Sequence, residues 1–154
     1  TPADPAPTRA ERRAARRVDG GWDPGAARQA TVPLRGAGAG TRRRVLLHGD
    51  LHGGNVLARG GGWAAIDPKP LVGEAAADLR QVVRSVVGPR PDARTVGRVA
   101  DVLGSELGVD RERILAWTIA LGVEMAADDL AHGSRGAADE AYRLAAAAAR
   151  ATRD

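Results

Sequence analysis

Residues 48–67 read HGDLHGGNVLARGGGWAAID. Asp50 stands five residues before Asn55. Two short strand-like runs, 55–58 and 63–66, flank Arg59-Gly60-Gly61-Gly62, and Asp67 follows the second run. Two such runs joined by glycines predict a β-hairpin. A hairpin brings its two ends together, so Asn55 and Asp67 are expected to meet, with Asp50 on the loop just before them. That is the layout of a phosphoryl-transfer site, in which one carboxylate faces the acceptor hydroxyl and the other oxygens hold Mg²⁺. The glycine run itself does not read as a phosphate cradle. Such a loop feeds a helix N-terminus, whereas here a strand follows.

Working outward, Val45-Leu46-Leu47 predicts a strand or extended entry into the motif. From Glu74 onward the pattern turns helical. Residues 75–87 place Leu79, Val82, Val83 and Val86 at three- and four-residue spacing. Gly88-Pro89-Arg90-Pro91 stops that helix, and Asp92 is placed to cap the next. Val96, Val99, Leu103 and Leu107 form one stripe, closed by Gly108, and Asp110 opens another helix. That helix is largely apolar, with Ile114, Leu115, Leu121 and Met125 expected to be buried. Residues 133–136 break it, and an alanine-rich helix is expected over 137–152. The fold class read from this order is α+β and mostly helical: a hairpin followed by about four helices.

Residues 1–44 differ. They hold five prolines, ten arginines and four acids, a balance of +6, while residues 45–154 hold 13 basic and 15 acidic residues, a balance of −2. The arm is expected to be poorly ordered, with at most a short basic helix over 8–17. The part expected to fold is therefore slightly acidic, and its few aromatics are not interleaved with basic residues. This argues against nucleic acid as a partner. Binding through the arm stays open as an alternative. The chain has no cysteine, which excludes disulfides and thiolate metal sites. No run approaches the ~18 apolar residues of a membrane span, and no apolar segment follows the N-terminal arginines as in a signal peptide. The expectations are no membrane and a cytoplasmic location.

The segment LLHGDLHGGNVL, followed by WAAIDPKPLVGEAAADL, resembles the aminoglycoside phosphotransferase family. It is most similar to the branch of streptomycin 6-phosphotransferases and hydroxyurea phosphotransferases, whose members typically read HGDLHxGNVL and then IDPKxLVGExAxDL. The resemblance covers about residues 45–80. It implies a protein-kinase-like fold, of which residues 45–154 form the C-terminal lobe with a β-hairpin after the catalytic loop. It also implies ATP as co-substrate, Mg²⁺ as cofactor, and a hydroxyl of an aminoglycoside or related small molecule as acceptor. In that frame Asp50 is the catalytic base, Asn55 and Asp67 bind Mg²⁺, and Asp78 anchors the catalytic loop by backbone hydrogen bonds.

Other residues carry paired readings. His48 reads as a loop-supporting residue, because Asp50 already supplies the base. His52 is either loop structure or a substrate contact. Lys69, the chain's only lysine, is either a phosphate contact or a solvated side chain. Glu74 caps the helix that follows it or holds the loop. Glu124 and Asp128 share a helix face and, with Asp129, are either a complement to a polycationic substrate or a solvated polar face. Trp117 reads as core rather than a stacking platform.

A kinase-like N-terminal lobe carries a phosphate-covering loop and a strand lysine that pairs with the α/β-phosphates. Neither is found here, and Lys69 lies after the metal aspartate. The expectation is a fragment lacking that lobe. The alternative is a catalytically inactive remnant, or a module that binds metal or a small molecule.

Overall fold

The structure, a computed structural model, describes residues 44–153. The expected disorder of the arm and its short helix over 8–17 lie outside these residues. Of the arm only Arg44 is described, and it opens a strand.

Among the described residues four short strands precede four helices. Strand β1 is Arg44–Leu47, β2 is Val56–Arg59, β3 is Gly62–Ala65 and β4 is Leu71–Glu74. Helix α1 is Ala76–Val87, α2 is Ala93–Leu107, α3 is Arg111–Ala131 and α4 is Arg135–Ala151. The mostly helical α+β expectation matches this architecture.

The strands form two antiparallel pairs, one nested in the other. β1 pairs with β4, Arg44 opposite Glu74 and Leu47 opposite Leu71. The β2–β3 hairpin sits between them in sequence, Val56 opposite Ala65 and Arg59 opposite Gly62. The expected four-residue turn tightens to Gly60-Gly61, with φ of +54° and +83°. Left-handed backbone at both central residues suits the right-handed twist of the flanking strands, and glycine adopts it without steric cost. Each strand of the hairpin lies one residue off the expected register. Asn55 ends a 3₁₀ turn, Gly53–Asn55, instead of starting β2.

β4 was not foreseen by the sequence pattern, which passes directly into helix at Glu74. Its pairing with β1 has a consequence for the site. Loop 48–55 leaves β1 and segment 66–70 enters β4 at the same paired end. Single backbone bonds stitch the two segments side by side: Lys69 N–H to the His48 carbonyl at 2.8 Å, and Ile66 N–H to the Asn55 carbonyl at 2.9 Å.

The helices carry the core, built from Leu79 and Val83 of α1, Val96 and Ala100 of α2, Ile114, Leu115 and Ile119 of α3, and Leu144 and Ala148 of α4. α3 is buried on several sides and packs most extensively against α4, then α1 and α2. The alanine-rich sequence of α4 permits this: Gly122 of α3 lies so close that an added Cβ would fall 2.7 Å from the Ala141 carbonyl oxygen. Thr118 is fully buried, and its hydroxyl donates to the Ile114 carbonyl at 2.8 Å. Caps fall where the sequence put them. Asp92 accepts from Thr95 N–H at 2.9 Å and Asp110 from Glu112 N–H at 2.9 Å. Gly108 closes α2 in the left-handed region. Two stripe members depart from expectation: Val86 and Leu107 are exposed. α4 starts two residues earlier than expected and includes Gly136.

Candidate active site

The site lies where the two strand pairs meet α1. Its base is a bend at residues 48–50 that only glycine can make. Gly49 has φ +80°, and a Cβ there would sit 2.0 Å from the Lys69 carbonyl oxygen. The bend is pinned from below by Asp78, whose carboxylate accepts His48 N–H at 2.7 Å and Gly49 N–H at 2.9 Å. Asp78 stands in the first turn of α1, yet α1 has no side-chain cap. Its carboxylate serves the loop instead of the helix end.

His48 bridges the loop and the hairpin. Its Nδ1 accepts Asp50 N–H at 3.3 Å, which leaves the ring proton on Nε2 to donate to the Ile66 carbonyl at 2.9 Å. His52 caps the 3₁₀ turn, its Nδ1 accepting Gly54 N–H at 3.1 Å, and its Nε2 stands 4.0 Å from Asp50 Oδ1.

Asp50 is thus held by its main chain. Its carbonyl accepts both His52 N–H at 3.1 Å and the Asn55 side-chain amide at 2.9 Å. Asn55 is buried. With its amide nitrogen committed to Asp50, its Oδ1 is the atom available to a cation. Asp67 follows Ile66, whose N–H is bonded to Asn55, and so lies beside it. Asp67 is the one non-glycine residue with positive φ among those described, at +55°. Such backbone costs of order 1–3 kcal/mol and concentrates at functional sites.

Asn55 and Asp67 offer one amide and one carboxylate oxygen. That fits Mg²⁺, which usually takes one or two protein ligands and fills its octahedron with water and phosphate oxygens. Among the described residues no group of three His, Asp or Glu side chains converges to hold a metal by itself.

Lys69 has a mostly exposed side chain whose head group is paired with a carboxylate. Its Nζ donates to Asp50 Oδ2 at 2.6 Å. This ion pair and hydrogen bond hold the Asp50 carboxyl below the usual carboxylate range against an opposing effect of burial. Asp50 in turn raises the Lys69 ammonium.

Glu74 does more than the sequence suggested. Arg113 of α3, buried, grips it with both Nε, at 2.7 Å from Oε1, and Nη2 on Oε2. Trp117 Nε1–H adds a bond to Glu74 Oε2 at 3.2 Å, and the Arg80 guanidinium lies over the Trp117 ring at 5.8 Å. This network ties β4, and through it the loop, to α1 and α3. Sequence gave no sign of Arg113, because the pair spans 39 positions. Glu124 and Asp128 are exposed on α3. Asp128 faces His132 at 3.7 Å, and no hydrogen bond or ion pair recorded for the described residues joins this acidic group to Asp50, Asn55 or Asp67.

Residues 7–133 match the family model described as aminoglycoside/hydroxyurea antibiotic resistance kinase. The chain is 40% identical over 107 residues to a streptomycin 6-kinase of Streptomyces glaucescens, covering 66% of this chain and 35% of that protein. It is 49% identical over 75 residues to a hydroxyurea phosphotransferase of Kitasatospora aureofaciens, covering 48% of this chain and 21% of that protein. It is 37% identical over 94 residues to a streptomycin 3''-kinase of Klebsiella pneumoniae, covering 53% and 34%. The matches thus span about a third or less of the length of these relatives. No solved structure matches the chain at a significant level. The chain belongs to the aminoglycoside/hydroxyurea antibiotic resistance kinase family.

Proposed function

We propose that this member of the aminoglycoside/hydroxyurea kinase family supplies the base and metal ligands of an ATP- and Mg²⁺-dependent phosphotransferase. The acceptor is a hydroxyl on an aminoglycoside of the streptomycin kind or a related small molecule. Residues 45–154 act as the C-terminal lobe of a kinase-like fold, working in the cytoplasm. The observation that carries the reading is the Asn55–Asp50 bond at 2.9 Å. It ties the residue proposed as a metal ligand to the backbone of the residue proposed as the base, which supports the reading.

Phosphoryl transfer asks the protein mainly for position and charge. Asp50 would orient the acceptor hydroxyl and take its proton as the oxygen bonds to the γ-phosphorus. His48 and Asp78 hold the loop that presents Asp50. Asn55 Oδ1 and Asp67 would hold Mg²⁺, whose charge would offset that of the phosphates. The adenine and the inner phosphates are assigned to groups outside residues 44–153. Glu124, Asp128 and Asp129 supply negative charge suited to a polycationic acceptor.

The test is ADP release from ATP by the 154-residue chain, with streptomycin or hydroxyurea as acceptor. The reading expects release that depends on both acceptor and Mg²⁺ and that drops at least 100-fold in Asn55→Ala. No release at all supports an inactive remnant instead, and release that needs neither acceptor nor metal contradicts the reading.

A further inference from the structure

Asp50 Oδ2 is covered by the Lys69 ammonium at 2.6 Å, and the backbone of that lysine is held on both sides. Its N–H bonds the His48 carbonyl at 2.8 Å, and its own carbonyl lies against Gly49, where a Cβ would come within 2.0 Å. The head group is fixed by nothing but the carboxylate. The side chain is 71% exposed, and segment 66–70 belongs to no strand. Lys69 therefore combines an anchored backbone with an exposed side chain whose head group is held by a single carboxylate, two residues from Asp67.

We propose that Lys69 is a catalytic residue that alternates between two anions: the Asp50 carboxylate, as the structure shows, and the oxygens of the phosphoryl group in transfer. The proposal rests on the phosphotransfer reading above. In that reaction the acceptor oxygen bonds to the γ-phosphorus while the bond from that phosphorus to the β,γ-bridging oxygen breaks. The electron pair leaves with ADP, and the hydroxyl proton passes to Asp50. Lys69 makes and breaks no covalent bond. A hydroxyl that approaches Asp50 Oδ2 meets the ammonium that now covers it. The phosphoryl group that this hydroxyl attacks brings negative charge spread over three oxygens to the space between Asp50 and Asp67. The ammonium can serve there by rotating about its own side-chain bonds. A cation aimed at charge that develops during the reaction lowers the barrier more than it tightens substrate binding.

The residue type fits this role. The chain uses arginine at every other one of its 23 basic positions and its single lysine here. An arginine would clasp Asp50 through two parallel N–H bonds and hold it. Lysine is a point charge on a flexible stem, able to leave one oxygen for another.

Steady-state transfer from Mg·ATP to streptomycin by the 154-residue chain tests the proposal. In Lys69→Met kcat should fall about 100-fold, with the KM for either substrate changing less than about threefold in the same comparison. Lys69→Arg should recover no more than about a tenth of the wild-type kcat, whereas a role in charge alone predicts full recovery. A Lys69→Met enzyme within threefold of wild-type kcat would overturn the proposal.

A second measurement is independent of turnover. With one lysine in the chain, ¹⁵N-lysine labelling gives one side-chain ammonium signal. It should move in Asp50→Asn, and again in the wild type when Mg²⁺ and a non-hydrolysable ATP analogue displace the Asn55 side-chain amide signal. Movement of Asn55 with a static Lys69 rejects the proposal and leaves the phosphotransfer reading intact. A static Asn55 rejects that reading, and the proposal with it.

Discussion

Asp92 shows at the scale of one residue how a local bond sets a pH response. Its carboxylate accepts Thr95 N–H and the Thr95 hydroxyl, the latter at 2.7 Å, and these bonds hold its pKa below the ordinary carboxylate value. A carboxyl with a lower pKa in the folded state binds fewer protons there than in the unfolded chain, so stability rises with pH across the gap. The contribution is complete above the unfolded value, about 3.9. It is lost as the pH falls from there through the folded value. Asparagine caps as well as aspartate does but does not titrate. Thermal unfolding of Asp92→Asn is therefore expected to match the wild type near pH 7 and to shift less between pH 5 and pH 2. Parallel pH profiles for the two proteins would contradict this. Asp50 obeys the same sign rule, with the Lys69 ammonium as the stabilising partner.

At the scale of elements, the Glu74–Arg113 pair and the α3–α4 contact decide how the site is held. Glu74 and Arg113 are 19% and 7% exposed, so removing one partner leaves the other charge largely withdrawn from water. Arg113→Met is expected to cost about 3 kcal/mol in urea unfolding and to speed amide exchange in β4 more than in α4. A loss under about 0.5 kcal/mol would mean that the pair behaves like an exposed one. Two glycines in helices make a contrasting pair. An added methyl at Gly122 meets Ala141 and Ala145 of α4, while one at Gly136 meets nothing. Gly122→Ala should lose about 1–3 kcal/mol and Gly136→Ala gain about 0.5 kcal/mol, both read from urea midpoints. Equal effects would remove the argument for a close α3–α4 approach.

The same elements show what sequence makes legible. The hairpin could be read because glycine marks a turn that other residues resist, and α2 and α3 because Asp92 and Asp110 cap within three residues of their own positions. β4 could not, since four residues containing a glycine become a strand only through pairing with β1, a distant segment. The Asp50–Lys69 and Glu74–Arg113 contacts were hidden for the same reason. They depend on the register of two loops and on the packing of α3, neither of which has a local spacing. The positions of Asp50, Asn55 and Asp67 were legible because loop, turn and hairpin are contiguous.

Over the whole molecule, burial and chemistry are divided. The helices bury the core, while the strand pairs that frame the site leave Leu46, Trp63 and Val72 exposed. No helix among the described residues is long and apolar enough to cross a membrane. The central claim is that this chain presents Asp50 as the base of a phosphoryl transfer to a hydroxyl. The most direct measurement is ³¹P NMR of a mixture of ATP, Mg²⁺ and streptomycin, with the wild-type chain and with Asp50→Asn, after circular dichroism has shown both to be folded. The account predicts a phosphomonoester signal on the acceptor, growing in step with ADP, for the wild type, and a rate at least 100-fold lower for the variant. The same phosphoester formed at an unchanged rate by Asp50→Asn would contradict it.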